Sequence, residues 1–305
     1  MTAGFVHQAL LYRDAGEYLA GTVPFVYDGL AAKEPVLVAV PGANVELIEG
    51  SLGASADRVR FADMSEAGRN PGRIIPWVLN TFLEEHAGTR VRIIGEPIWA
   101  GRSDVEYPAC VQHEALINVA FADRDATILC PYDVAALDTA AVSDAERTHP
   151  ELVGVGPVRT SPRYRPDEVV AEYNQPLPPV PDGAATLAFD GAGLSMVREF
   201  LGRYGASAGL GDRRVVDLQI AVNELATNAV VHGAGSGTLA VWVEPGQVAV
   251  EVRDAGRASQ RLAGRVPPAP DRLGGRGLVL VNYVSDLVRV HTGPAGTTVR
   301  IYLHI

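Results

Sequence analysis

From residue 212 to 233 the apolar side chains Val215, Leu218, Val222, Leu225 and Ala229 recur at steps of three and four. That period predicts a helix with one buried face. A second face carries Ala221, Glu224, Asn228 and His232 at the same steps, so these side chains stack above one another. Downstream, 248–253 alternates like a strand and ends at Asp254-Ala255-Gly256. Gly274-Gly275-Arg276-Gly277-Leu278 opens an apolar run through Val284, and Gly293-Pro294-Ala295-Gly296-Thr297-Thr298 leads into a final strand over 299–303. The first half of the chain predicts helices over 14–32, 44–52, 71–85, 106–121 and 134–146, with Pro24 kinking or splitting the first. Strands are predicted over 35–40, 58–61, 91–94 and 126–129. The unbroken apolar run at 35–40 suits a strand buried on both faces. Strand and helix in alternation predict a parallel sheet covered on both sides. Residues 149–182 hold eight of the 21 prolines without periodicity and read as a linker or a surface strap. The expected layout is therefore α/β throughout: 1–150, a proline-rich link over 151–183, and 184–305.

Composition narrows the classes. With 305 residues and 47% hydrophobic content, the chain can bury two ordinary cores. No apolar run approaches the ~20 residues that span a bilayer, and no charged segment followed by an apolar one marks export. A cytoplasmic location is expected. Cys110 and Cys130 are too few for a disulfide scaffold and are expected as small buried hydrophobes. The formal charge of −10 argues against a nucleic-acid surface.

A carboxylate and a carboxamide one turn apart, on a helix rich in Ala and Val, are costly to bury idly. Taken alone, Glu224 and Asn228 fit the commoner arrangement of two polar groups on a wet helix face. Together they also suit an oxygen ligand for a hard cation and a group that orients a water or hydroxyl. Asp254 at a strand end can accept from an adenine amino group while Gly256 lets backbone approach the ring. A glycine turn opening a helix presents bare N–H groups to phosphate. Each signal is weak, but the four in this order within about eighty residues are specific.

The order Glu224/Asn228, Asp254-x-Gly256, Gly275-x-Gly277 and Gly296-Thr297-Thr298 resembles the N, G1, G2 and G3 boxes of the GHKL (Bergerat-fold) ATPases. It is most similar to the short anti-sigma-factor serine kinases. The resemblance covers roughly 184–305. It implies an α/β sandwich that binds ATP and Mg2+, with Glu224 as catalytic base and Asn228 as magnesium ligand. Asp254 and Gly256 would hold the adenine with Thr297 nearby. Gly275, Arg276, Gly277 and Leu278 would line the phosphates under a lid over 259–273. The implied partners are a STAS-type anti-sigma-factor antagonist and a sigma factor, with a homodimer as the assembly. One departure stands out: Arg257 and Ala258 follow where the G1 box usually has a second glycine.

The first half resembles the MEDS sensory domain of methanogen and methylotroph regulators. The likeness rests on His7-Gln8-Ala9-Leu10-Leu11-Tyr12, Gly95-Glu96-Pro97-Ile98-Trp99, His113-Glu114-Ala115-Leu116-Ile117-Asn118 and Cys130-Pro131-Tyr132-Asp133. It implies a RecA-like α/β domain that senses a small molecule. Pro41-Gly42-Ala43-Asn44 lacks the lysine and spacing of a P-loop, so no nucleotide hydrolysis is expected there. Ligands of parallel sheets sit at the C-terminal rim of the strands. Glu96, Trp99 and Tyr132 are placed there, with His7, His113 and Glu114 as further candidates. For each histidine a satisfied core position is the commoner role. His113-Glu114 is not read as a histidine-kinase phosphoacceptor, because it falls inside a βα pattern and not in a helical hairpin ahead of the ATPase half. The expected function is a regulatory protein serine/threonine kinase governed by a small molecule. The alternative is a non-catalytic nucleotide-binding or partner-sequestering regulatory module.

Overall fold

Short apolar runs build the sheet of the first half. They are β1 (Val6–Tyr12), β2 (Val36–Val40), β3 (Arg60–Asp63), β4 (Val91–Gly95) and β5 (Ala126–Asp133), followed by β6 (Glu151–Val153) and β7 (Arg159–Thr160). The computed structural model describes residues 4–154, 156–256, 261–266 and 275–305. The chain divides into two units, Met1–Tyr173 and Asn174–Ile305. In the first unit the strand order is β3-β2-β4-β5-β1-β6-β7. Every pairing is parallel except β6 with β7. Its helices are α1 (Ala15–Ala31), α2 (Gly42–Leu52), α3 (Met64–Ala67), α4 (Pro71–Arg73), α5 (Asn80–Glu85), α6 (Tyr107–Ala120), α7 (Thr139–Thr148) and α8 (Pro166–Glu172). Every residue of β2 is buried, as its unbroken apolar run predicts.

Alternation along the strands sorts side chains onto two faces. Leu10, Tyr12, Val38, Ile94 and Leu129 join Tyr18, Phe25 and Val26 of α1 and Ile48 of α2 in one core cluster. His7 and Cys130 point to the opposite face, where they meet Asn118 and Glu114 of α6.

The second unit runs β8 (Ala185–Asp190), α9 (Leu194–Ser207), α10 (Asp212–Val231), β9 (Ser236–Glu244), β10 (Gln247–Asp254), α11 (Gly277–Val284), β11 (Leu287–Gly293) and β12 (Gly296–His304). The sheet order is β11-β12-β10-β9-β8, antiparallel at each pairing. Leu218, Val222, Leu225 and Ala229 of α10 pack on Val248, Val250 and Val252 of β10 and on Val299 and Ile301 of β12. The other face of this sheet is covered by the chain entering from Asn174. The Asn174 carboxamide bonds both the carbonyl (2.8 Å) and the N–H (3.0 Å) of Thr292. Arg300 donates to the carbonyl of Pro178 at 2.5 Å and to Glu251 at 2.6 Å. Among the described residues no helix is long and apolar enough to cross a membrane.

Several elements differ from expectation for identifiable reasons. Pro24 neither splits α1 nor ends it. The missing N–H costs one helical bond, while Tyr18, Phe25, Val26 and Leu30 anchor both halves in the core. The single helix expected over 71–85 is three pieces, with a π-helical turn at Ile74–Leu79 between α4 and α5. Pro76 lies within that turn, where the wider winding accommodates a residue that cannot donate. The helix expected from 134 begins at Thr139, where Asp138 accepts from the Ala141 N–H at 2.7 Å and caps it. The stretch expected as a linker carries three short elements. β6 pairs with β1, β7 with β6, and α8 buries Val169. Its prolines sit where they do no damage, Pro166 for instance in the first turn of α8.

Candidate functional site

In the second unit the site forms around the C-terminal half of α10. Glu224 and Asn228 are both half-buried, one turn apart, while His232 is exposed at the helix end. The helix closes when the N–H groups of His232 (2.8 Å) and Gly233 (3.1 Å) both bond the carbonyl of Asn228. Gly277 is the first residue of α11, and a side-chain carbon there would run into the carboxylate of Glu224. The glycine turn therefore lies directly against the acid. Gly275 before it takes φ +80°, a conformation glycine adopts freely. Arg276 is exposed beside the N-terminus of α11, and Leu278 is half-buried against the core.

A second group of glycines surrounds Asp254 at the end of β10. A carbon added at Gly233 would stand 2.6 Å from its Oδ1, and one added at Gly256 2.7 Å from the same atom and 2.5 Å from the Cα of Gly233. Gly296, at φ +124°, lies on the Asp254 backbone. Asp254 accepts from the Gly256 N–H at 2.7 Å, and Thr297, its partner across β12, donates to the Gly256 carbonyl at 2.8 Å. Burial pushes the Asp254 carboxyl up, while the Gly256 N–H pulls it down. From Glu224 to Val231, the last residue of α10, is about 10 Å along the helix axis, and Gly233 follows just beyond the C-cap His232. Most of the expected lid over 259–273, and both Arg257 and Ala258, lie outside the described residues. Within 261–266, the Gly264 carbonyl receives a 3.0 Å bond from the carboxamide of Asn282 on α11.

In the first unit the sensory candidates do not share one rim pocket. Glu96, just past β4, is 3% exposed. It accepts from Asn44 of α2 at 2.9 Å and Tyr18 of α1 at 3.2 Å. Burial, only partly offset by these bonds, pushes its carboxyl up to about 8. His7 and Tyr132 lie on the opposite face. Tyr132 donates to Glu114 at 3.1 Å, and His7 stands 3.3 Å from the other oxygen of the same carboxylate. Burial first, then His149, pushes His7 down to about 4. Trp99 stacks under the Arg102 guanidinium at 3.9 Å. His113 is buried on α6, turned about 100° from Glu114 as its chain neighbour. The face reversal follows from the two-residue period of strands, which the sequence reading did not apply across β1, β4 and β5. Asn44, Tyr18, Asn118 and His149 were missed. His149 was hidden because it opens the stretch read as a linker.

Comparison with known proteins divides the chain in the same order. Residues 6–150 match the family model of the MEthanogen/methylotroph, DcmR Sensory domain (MEDS). Residues 187–303 match that of the histidine kinase-like ATPase domain. No curated protein matches the chain. Two solved structures are similar in part. The RsbU and RsbW domains of Rv1364c from Mycobacterium tuberculosis align over 41% of this chain and 33% of that one, at 21% identity and a TM-score of 0.31. The Acinetobacter baumannii histidine kinase AdeS aligns over 66% of this chain and 96% of that one, at 12% identity and a TM-score of 0.24.

Proposed function

We propose that this chain, which joins a MEDS domain to a histidine kinase-like ATPase domain, is a regulatory ATP-dependent protein serine/threonine kinase of the anti-sigma-factor type. A small molecule bound in its N-terminal domain governs the activity. The observation that carries the reading is the pair of glycine-lined groups on one helix, with Glu224 against Gly277 and Asp254 against Gly233 and Gly256. At positions 277 and 256 a Cβ would collide with a carboxylate or with backbone, so only glycine lets the α11 turn close onto Glu224 and the turn after β10 close onto Gly233. The placement of the two groups at opposite ends of a stretch of about 10 Å of α10 suits an extended nucleoside triphosphate, adenine at Asp254 and phosphates at the α11 N-terminus. The residues fit the ligand: a carboxylate for the exocyclic amine, N–H groups for anionic oxygens, and the Asn228 amide oxygen for a hard cation.

In this reading Asn228 holds Mg2+, which supplies charge neutralisation to the phosphates. Glu224 orients the hydroxyl of a serine or threonine on a partner and takes its proton. The hydroxyl oxygen bonds the γ-phosphorus as the β–γ bridging bond breaks, leaving ADP. Catalysis of this kind is chiefly positioning and electrostatics. Thr297 and Gly256 shape the adenine end, and Gly275, Arg276 and Leu278 the phosphate end. The partner is a STAS-type antagonist, and a sigma factor is the second protein bound.

Calorimetric titration with ATP and Mg2+ tests this. We expect saturable binding near 1 μM, about −8 kcal/mol. Glu224→Ala should retain binding and lose phosphoryl transfer, whereas Asn228→Ala should lose the magnesium dependence. Transfer at the wild-type rate in both variants would sink the role assignment. The Arg257-Ala258 departure favours a second reading, a partner-sequestering module without catalysis. Absence of heat on titration would select it.

A further inference from the structure

Four side chains on the α6 side of the first sheet converge without serving the kinase site. They are His7 of β1, Glu114 of α6, Cys130 of β5 and His149, the C-cap of α7 two residues before β6. Their exposures are 0%, 0%, 1% and 0%. Nε2 of His7 stands 3.3 Å from Glu114 Oε2, and Nε2 of His149 stands 3.4 Å from the same oxygen. Cys130 Sγ lies 3.4 Å from His7 Nε2 and 3.5 Å from Glu114 Oε2. All four potential donor atoms fall within 4.8 Å of one another.

Three features mark this as more than a polar core network. First, zinc bonds of about 2.0–2.3 Å in a tetrahedron place donor atoms ~3.3–3.8 Å apart; four of the six donor pairs fall in that band, and all six lie within 4.8 Å. Second, the outer nitrogens of both imidazoles are engaged elsewhere. His7 Nδ1 bonds the Asn118 amide oxygen at 3.1 Å, and His149 Nδ1 bonds the Ala145 carbonyl at 2.9 Å. This places a proton on each Nδ1 and a lone pair on each Nε2, the arrangement that metal-ligating histidines show. Tyr132 likewise fixes Glu114 through its other oxygen. Third, Nε2 of His149 is fully enclosed and faces the Glu114 oxygen at 3.4 Å without the geometry of a good hydrogen bond, which is costly for a group aimed into a polar cluster. Two neutral imidazoles, a thiolate and a carboxylate carry charge −2, so a dication leaves the enclosed site neutral.

We propose that His7, Glu114, Cys130 and His149 form a closed, four-coordinate site for a divalent transition metal of the zinc class. Binding displaces the thiol proton of Cys130 to solvent and forms four metal–ligand bonds, with no change of oxidation state. Four protein donors leave no open position, so the metal is structural or regulatory and ties β1, β5, α6 and the residues leading into β6 together.

The test uses the full chain stripped of metal and titrated with Co2+, then with Zn2+ as competitor. We expect one Co2+ per chain, absorption of tetrahedral intensity, a thiolate-to-cobalt charge-transfer band, and displacement by Zn2+ at a dissociation constant below about 1 μM. Cys130→Ser should lose the charge-transfer band, and Asn118→Ala should weaken binding by about 10–100-fold. Octahedral absorption alone, no charge-transfer band in the wild type, or a band that survives Cys130→Ser would each overturn the proposal. The wild-type spectrum decides even where a variant fails to fold.

Discussion

Glu96 shows how much one buried carboxyl can govern. Its neighbours from each element packed on it are Tyr18, Asn44, Tyr12 and Asp133; of these Asp133 adds to the upward push, while the bonds from Asn44 and Tyr18 oppose it. With the folded-state pKa at about 8 against an ordinary 4.5, the native state keeps a proton that the unfolded chain loses between these values. Stability is fully present below about pH 4.5 and falls as pH rises toward 8, by about 1.4 kcal/mol per pH unit. Glu96→Gln should flatten that decline, read as urea midpoints at pH 5, 6.5 and 8. An unchanged slope would mean that another group titrates. The sequence exposed Glu96 because a carboxylate directly after a buried strand demands a partner. It could not expose Asn44 or Tyr18, since they arrive from separate helices with nothing in their spacing to join them. The places of Glu224 and Asn228 on one helix and of Asp254 at a strand end were legible, because helix and strand periods fix them.

At the scale of elements, the buried pair between β10 and β12 makes the sharpest stability prediction. Arg300 and Glu251 are 3% and 1% exposed, and Arg300 lies over the Trp242 ring at 4.9 Å. Arg300→Ala would strand a buried carboxylate, for which a loss of about 3–5 kcal/mol is usual. The lower end applies, because the half-exposed Arg253 also reaches Glu251 at 2.5 Å. Guanidinium unfolding of Arg300→Ala beside a Glu251→Leu/Arg300→Met double variant checks this. The double variant should recover most of the loss; equal losses would show that unpaired charge is not the cause. Periodicity revealed β10 and β12 as strands but not what covers their outer face. Coverage by an irregular segment from Asn174 leaves no period to read. β8, α9, β9 and β11 were missed for a related reason. β8 exposes alternate residues with few large side chains, and α9 is interrupted by Gly202 and Gly205, weakening the helical pattern.

For the whole molecule, each unit carries its own apolar cluster. Two calorimetric transitions are therefore expected. ATP with Mg2+ should raise one and Zn2+ the other, each by mass action at its own site. Leu225→Ala should lower only the transition that ATP raises, by about 2–5 kcal/mol in stability. A single transition moved by both ligands would refute this partition. The alternation of strand and helix predicted the parallel sheet, and the motif order implied an α/β sandwich without giving the strand directions, which are antiparallel. The short β6 and β7 escaped because a few residues among prolines carry no periodic signal.

Those last two strands bear on how the protein is cut for study. A fragment ending at Pro150 would strip β6 from β1 and bare a row of backbone donors and acceptors along Ala9 and its neighbours. Open rims of this kind recruit other chains and aggregate. Cleavage after Tyr173 instead keeps the rim sheltered, along with the helix that buries Val169.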